Sequence, residues 1–154
     1  MGDLYCTCHR LRKAMRRMTR MYDHALAPVG MTVTQFSLLA ALAKSPDMTR
    51  PKLAALMDMD ASTLSRALGP LARRGLIEGA QARPRGRAAA SGLRLSARGT
   101  ELFNEAVPHW QAAQRAVHDI LGGSQTRHLH DLLDTLPADS GDPAEPGGRG
   151  SMID

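Results

Sequence analysis

The chain has 154 residues, a net charge of +5 and 43% apolar content, but only 3% aromatic residues. That length suits one domain with its own core, and a core so poor in aromatics must be built from Leu, Ala, Met and Val, which favours helices over a β-sandwich. No apolar run approaches the ~20 residues of a membrane span, and no short apolar segment follows a charged N-terminus as in a signal peptide, so the expectation is a soluble cytoplasmic protein.

Residues 4–27 are predicted as a long helix. Leu11, Met15, Met18, Tyr22 and Leu26 recur at steps of four and three as one apolar stripe, and Arg10, Lys13, Arg17 and Arg20 form an opposite basic face. Pro28 and Gly30 end it. Thr32 or Thr34 can cap the next helix, which runs through "QFSLLAALA" to Lys44, and "SPD" at 45–47 is a turn.

Residues 49–78 read as helix, turn, helix and the start of a strand. Thr49 is a good N-cap, and Pro51 stands in the first turn, where a missing N–H costs nothing. Leu53, Ala54, Leu56 and Met57 are expected to face the core. Asp58 to Asp60 form the turn, with Asp60 or Ser62 as cap of the second helix. That helix carries Ser62, Thr63, Ser65 and Arg66 beside a buried stripe of Leu64, Leu68 and Leu71. Pro70 removes a bond to the Arg66 carbonyl, which predicts a bend at Gly69-Pro70 and not a break. Gly75 is placed just past the helix end.

A helix-turn-helix of this kind lays the exposed face of its second helix in the major groove of DNA. Arg66 is the candidate for a guanine edge, and Ser62, Thr63 and Ser65 for bases or phosphates, with helix capping the alternative for Ser62. Arg73 and Arg74, near the helix end, meet phosphates or solvent.

"LIEGA" (76–80) and "GLRLS" (92–96) can pair as a two-stranded ribbon, and the loop between them holds Arg83, Arg85 and Arg87. A basic hairpin after a helix-turn-helix is a wing, whose arginines can enter the minor groove or grip phosphates. Charge follows the same division. Residues 44–98 carry eleven basic and four acidic side chains, whereas residues 99–154 carry three and nine. A basic middle joined to an acidic C-terminal third suits a DNA-facing lobe and a separate lobe turned away from DNA.

Ser96 caps a long helix from Ala97 to Leu121, with Leu102, Phe103, Ala106, Trp110, Ala113 and Val117 on its apolar face and Pro108 as a kink point. Gly122-Gly123 breaks it, and residues 125–136 form a last helix with Leu129, Leu132, Leu133 and Leu136. From Pro137 on, the chain has almost nothing to bury and is expected to be disordered.

In this order and with these residues the chain resembles the MarR (multiple antibiotic resistance regulator) family of winged-helix transcription factors. The pieces that carry the likeness are "MTVTQFSLL" (31–39), "LAALMDMDASTLSRALGPLARRGLI" (53–77) and "LSARG" (95–99). The resemblance implies a mainly α protein: a winged helix-turn-helix over 31–96 with a small two-stranded β wing, a helical dimerisation body from 1–30 and 97–136, and a tail over 137–154. It also implies a homodimer binding double-stranded DNA, with the first and last two helices forming the dimer body. Two-fold symmetry predicts a palindromic operator with half-sites one helical turn apart. The family's wing usually carries an Asp before its Arg. Here no acidic residue occurs between Glu78 and Glu101, so Arg83, Arg85 and Arg87 all stand for that role.

Three effectors are open. In the organic-hydroperoxide-sensing branch of the family, a cysteine near the start of the first helix pairs with a tyrosine at the spacing of Cys8 and Tyr22, although a second tyrosine of that branch corresponds to Arg12 here. Peroxide would convert Cys8 to a sulfenic acid that Cys6 or a small thiol could cap. The plain alternative is that Cys8 is a small hydrophobe at the dimer seam. Metal binding by Cys6, Cys8 and a distant histidine such as His109 is a rival, although positions 6 and 8 of a helix point different ways. The third is the family's usual effector, a small aromatic or anionic ligand, with Met15, Met18, Tyr22, Phe36 and Trp110 as candidate lining. No catalytic constellation, cofactor motif or dedicated metal site is visible, so the expectation is a regulator and not an enzyme. The competing classes are a thiol-dependent peroxidase and a winged-helix module that binds only protein.

Overall fold

Leucine periodicity and well-placed caps turn this chain into helices joined by one short ribbon. The structure, a computed structural model, describes residues 6–79 and 92–137. Helix α1 is Thr7–Leu26, followed by a 3₁₀ turn at Ala27–Val29. Then come α2 (Val33–Lys44), α3 (Arg50–Leu56), α4 (Ala61–Arg73), strands β1 (Ile77–Glu78) and β2 (Arg94–Leu95), α5 (Ala97–Leu121) and α6 (Gly123–Asp134). The mainly α winged helix-turn-helix read from the sequence is the fold observed.

The element ends follow from side chains able to satisfy the orphan backbone groups of a helix. Thr32 and Gln35 form a reciprocal capping box at the start of α2, each side chain bonding the other's backbone N–H. Asp23, reaching over from α1, accepts from Val33 N at 2.7 Å. Helix α4 runs unbroken through Gly69-Pro70. It ends in a Schellman arrangement in which Leu76 N bonds Leu71 O and Gly75 N bonds Ala72 O, with Gly75 at φ +68°. Ser96 caps α5 through Gly99 N at 2.9 Å. The break before α6 is a single residue, Gly122 at φ +83°, and Gly123 already belongs to α6, which starts two residues earlier than the periodicity suggests.

The ribbon is antiparallel, in the register Ile77↔Leu95 and Glu78↔Arg94. A third line of chain joins it. Met48 and Leu93 exchange backbone hydrogen bonds of 3.1 and 2.8 Å, so the segment read as a bare turn before α3 also borders the wing. Gly92 is required at this crossing, because a Cβ there would lie 2.0 Å from the Asp47 carbonyl oxygen.

Among the described residues the ten largest fully buried side chains are all leucines, including Leu26, Leu38, Leu53, Leu64, Leu71 and Leu93. At about 1.5–3 kcal/mol for each such burial, this leucine core is the main stabilising term. Phe36 stacks between Phe103 and Trp110, with ring centroids 5.3 and 5.4 Å away. A second, smaller cluster of Tyr22, Ala113 and Val117 joins α1 to α5, and Trp110 packs against both. Leu56 departs from expectation at 61% exposed. The helical turn carries it to the side of Leu53 opposite Ala54 and Met57. Met15, Ile120, Leu121, Leu132, Leu133 and Leu136 are also exposed, and α6 buries no residue. Among the described residues no single helix is long and apolar enough to cross a membrane.

Candidate nucleic-acid interface

Leu64, Leu68 and Leu71 fix α4 against the core, and that anchoring decides which residues it shows outward. Ser62, Ser65 and Arg66 are exposed and Thr63 half-buried at its first turns. The cap is Asp60, not Ser62. Its Oδ1 accepts from Ser62 N and Thr63 N, both at 2.8 Å, and from the Ser62 hydroxyl at 2.7 Å. Its Oδ2 accepts from the Thr63 hydroxyl at 2.6 Å. Arg66 lies back along the same face and donates from Nη2 to Ser62 Oγ (3.2 Å) and Thr63 Oγ1 (3.4 Å).

Four residues thus form one connected polar unit at the exposed tip of α4. These bonds hold the Asp60 carboxyl far below the usual carboxylate range, chiefly through the Thr63 hydroxyl, then the Ser62 hydroxyl and the Thr63 amide. The unit therefore keeps its carboxylate ionised at neutral pH, with the two hydroxyls standing between it and Arg66. Ser65 projects from the same helix and is exposed.

The two arginines at the helix end have different surroundings. Arg73 is exposed, its guanidinium beside Gly69, where an added Cβ would come within 3.3 Å of Nη1. Arg74 Nη1 donates to the backbone carbonyl of Gly30 at 2.8 Å. That bond ties Arg74 to the turn after α1, a contact that Arg73 does not make. Arg83, Arg85 and Arg87 lie outside the described residues, as does the tail beyond residue 137.

At the base of the wing, Arg94 Nε donates to Glu78 Oε2 at 2.9 Å and Nη1 to Asp47 Oδ1 at 3.5 Å. Both carboxylates raise the Arg94 pKa further, Glu78 more than Asp47. This junction ties both strands of the wing to the turn before α3. Sequence reasoning missed it. The pair Glu78–Arg94 becomes legible only after the Ile77↔Leu95 register is drawn, and Asp47 requires the Met48–Leu93 bridge.

The effector candidates are spread apart. Cys6 is the N-cap of α1 and its Sγ accepts from His9 N at 3.4 Å. Cys8 is the second residue of α1, and both thiols are free and exposed. Tyr22 is buried, its hydroxyl donating to Gln114 Oε1 on α5 at 2.7 Å. Fourteen residues of one helix separate Cys8 from Tyr22, about 21 Å of rise, so the two do not meet within one chain. Cys8 instead lines an open groove of about 860 Å³ with Leu11, Met15, Arg12, Arg16 and, from beyond α6, Leu136.

Met15, Met18, Tyr22, Phe36 and Trp110 have unlike surroundings among the described residues. Phe36 and Tyr22 are core residues of two different clusters, and Met15 is exposed. Among the described residues no three His, Cys, Asp or Glu side chains are gathered as a metal site, so Cys6, Cys8 and His109 are not brought together.

Residues 29–88, from the end of the 3₁₀ turn into the wing, match the profile of the MarR family. The chain is 33% identical to the M. tuberculosis transcriptional regulator MosR, over 85% of this chain and 93% of that one, with a TM-score of 0.69. The likeness holds for MosR solved in complex with DNA, at 33% identity, 84% and 92% coverage and a TM-score of 0.71. The transcriptional repressor CouR bound to p-coumaroyl-CoA shares the fold at 23% identity, with 86% and 96% coverage and a TM-score of 0.74. No curated protein matches the chain.

Proposed function

The chain belongs to the MarR family, and from that premise we propose that it is a homodimeric, DNA-binding transcriptional repressor that reads a palindromic operator and is released by an effector. The observation that carries the DNA-binding part is the Asp60–Ser62–Thr63–Arg66 unit, held outward by a buried leucine stripe on the second helix of a helix-turn-helix. MosR, the relative at 33% identity, is a transcriptional regulator solved with DNA. Arg66 offers a forked donor to a guanine edge, and Arg73 together with Arg83, Arg85 and Arg87 supplies charge to phosphates. On this reading residues 31–96 form the DNA-binding lobe.

Dimerisation is supported by the unpartnered apolar face. Met15 on α1, Ile120 and Leu121 at the end of α5, and Leu132, Leu133 and Leu136 on and after α6 are all exposed. A second copy of the chain would bury them. The division puts the dimer body at 1–30 and 97–136.

For release, the cysteines have the most specific support. Both thiols stand exposed at the start of α1, Cys6 as its N-cap and Cys8 in its first turn, and Cys8 lines the groove that Leu136 also lines. A hydroperoxide would oxidise the Cys8 thiolate to a sulfenic acid and leave as the alcohol. Attack by the Cys6 thiol, or by a small thiol, would then form a disulfide and expel water. A small ligand is the second candidate, supported by the ligand-bound fold relative CouR.

The test is fluorescence anisotropy on a duplex that the protein enriches from a randomised pool, with salt titration, then organic hydroperoxide, then reductant. Static light scattering reports the mass. Expected are a dimer, steeply salt-dependent binding, and release by peroxide that reductant reverses. Binding indifferent to peroxide would leave the thiols structural and move the effector to a small ligand. Catalytic turnover of peroxide with thiol reductant, or a monomer that enriches no duplex, would overturn the repressor reading.

A further inference from the structure

We propose that Asp60 is the positioning residue of the DNA-reading face: it orients Arg66 through the hydroxyls of Ser62 and Thr63 and sets sequence discrimination without touching a base. This rests on the DNA-binding reading above and extends it to a residue whose evident role is only to cap a helix.

A serine or threonine hydroxyl has one proton to donate and two lone pairs. At the tip of α4 both protons are committed to Asp60, one to each carboxylate oxygen, at 2.7 and 2.6 Å. The two hydroxyls can therefore act toward anything else only as acceptors. What they accept from is Arg66 Nη2, at 3.2 and 3.4 Å. The guanidinium is thus held over the first turn of the helix before any DNA arrives, and its remaining N–H groups have no intramolecular partner among the described residues. A side chain held in place before binding loses less freedom on binding, so the gain is largest where its fork must match one base edge.

Asp60 has a second effect on the same surface. The free N–H groups of a helix N-terminus are a ready phosphate site. Here those of Ser62 and Thr63 are already taken by Asp60, and a negative charge stands in front of them. The tip of α4 is closed to the DNA backbone and left to Arg66. Asp60 therefore lowers affinity for DNA of any sequence and raises the preference for the right one.

The probe pair is the duplex that the wild-type protein enriches from a randomised pool and a random-sequence duplex of equal length. Asp60→Asn keeps the cap, since Asn ranks with Asp at that position. It removes the charge and leaves one acceptor oxygen for two hydroxyl protons. Expected are equal or tighter binding to random DNA and a preference for the enriched duplex reduced about tenfold, the scale of one specific base contact. The salt slope stays unchanged. In an Arg66→Ala background the same change moves the preference less than about twofold, because its effect passes through Arg66. Asp60→Ser, which also caps, repeats the pattern, and thermal melts of each variant show that α4 remains folded. An unchanged preference in Asp60→Asn, or an equal loss with and without Arg66, overturns the proposal while leaving DNA binding intact. A wild-type protein that enriches no duplex removes both.

Discussion

Arg74 donates from Nη1 to the backbone carbonyl of Gly30 across 2.8 Å, and 44 positions of sequence separate the two residues. Gly30 stands at φ +61°, where the chain leaves the 3₁₀ turn after α1 and heads for α2. Arg74 is the C-cap of α4. One guanidinium thus fastens the end of α4 to the corner joining α1 and α2.

This separates the adjacent arginines by experiment. Arg74→Ala is expected to cost about 1 kcal/mol of stability, the net worth of one typical hydrogen bond, and to leave the salt dependence of DNA binding nearly unchanged. Arg73→Ala should do the reverse, keeping the melting temperature and reducing the salt slope by about one phosphate contact. Urea unfolding and anisotropy at several salt concentrations measure both. If Arg74→Ala lowers the slope as Arg73→Ala does and melts normally, Arg74 is a phosphate contact and the strut is wrong.

Gly99 supplies a prediction of inverted sign. Replacing a helical glycine by alanine ordinarily stabilises by up to about 1 kcal/mol. At Gly99, in the first turn of α5, an added Cβ would lie 1.9 Å from the Leu76 carbonyl oxygen. The same joint is closed by Ser96 N bonding Leu76 O at 3.1 Å and Ser96 Oγ bonding Gly75 O at 2.6 Å. Gly99→Ala must therefore push α5 off the turn that leads into β1, at about 1–3 kcal/mol as for an overpacked core. Gly69→Ala is the control. Its Cβ meets only the mobile end of Arg73 at 3.3 Å, so it should be neutral or slightly stabilising. Equal effects of the two substitutions on the urea midpoint would contradict this account of the joint.

What could be read from the sequence was what local chemistry dictates. The stripe Leu64, Leu68 and Leu71, the caps at Thr32, Asp60 and Ser96, the glycine at position 75 and the ribbon strands all rest on spacings within a few residues, and all are found. The reading was weaker where the outcome depends on a distant partner. Arg74 looked like any basic residue at a helix end until Gly30 came beside it. Leu56 matched the apolar pattern, but α3 is only seven residues long and the core reaches it from one side. Phe36 and Trp110 read as candidate ligand lining, and their stacking, with Phe36 in the core and Trp110 half-buried against it, needed the packing of α2 on α5. At the α4 tip the residues were legible one by one. That the two hydroxyls give their protons to Asp60 and their lone pairs to Arg66 depends on rotamers that no spacing specifies.

The same tip yields a pH prediction. In the folded chain the Asp60 carboxyl titrates far below its ordinary value of 3.8, because the Thr63 hydroxyl, the Ser62 hydroxyl and the Thr63 amide all favour the charged form. A group whose pKa is depressed by folding stabilises the native state fully above its unfolded pKa, and loses that contribution as pH falls through the folded one. The window for loss therefore opens only below about pH 4. Asp60→Asn supplies the reference, since it caps without titrating. The difference in urea midpoint between wild type and Asp60→Asn should stay level from pH 7 to about pH 4, then shift against the wild type as the pH is lowered further. Comparing the two proteins cancels the carboxylates they share. A difference that already drifts between pH 7 and pH 5 would mean that another titrating group controls the tip, and that the hydroxyls of Ser62 and Thr63 do not hold Asp60 ionised.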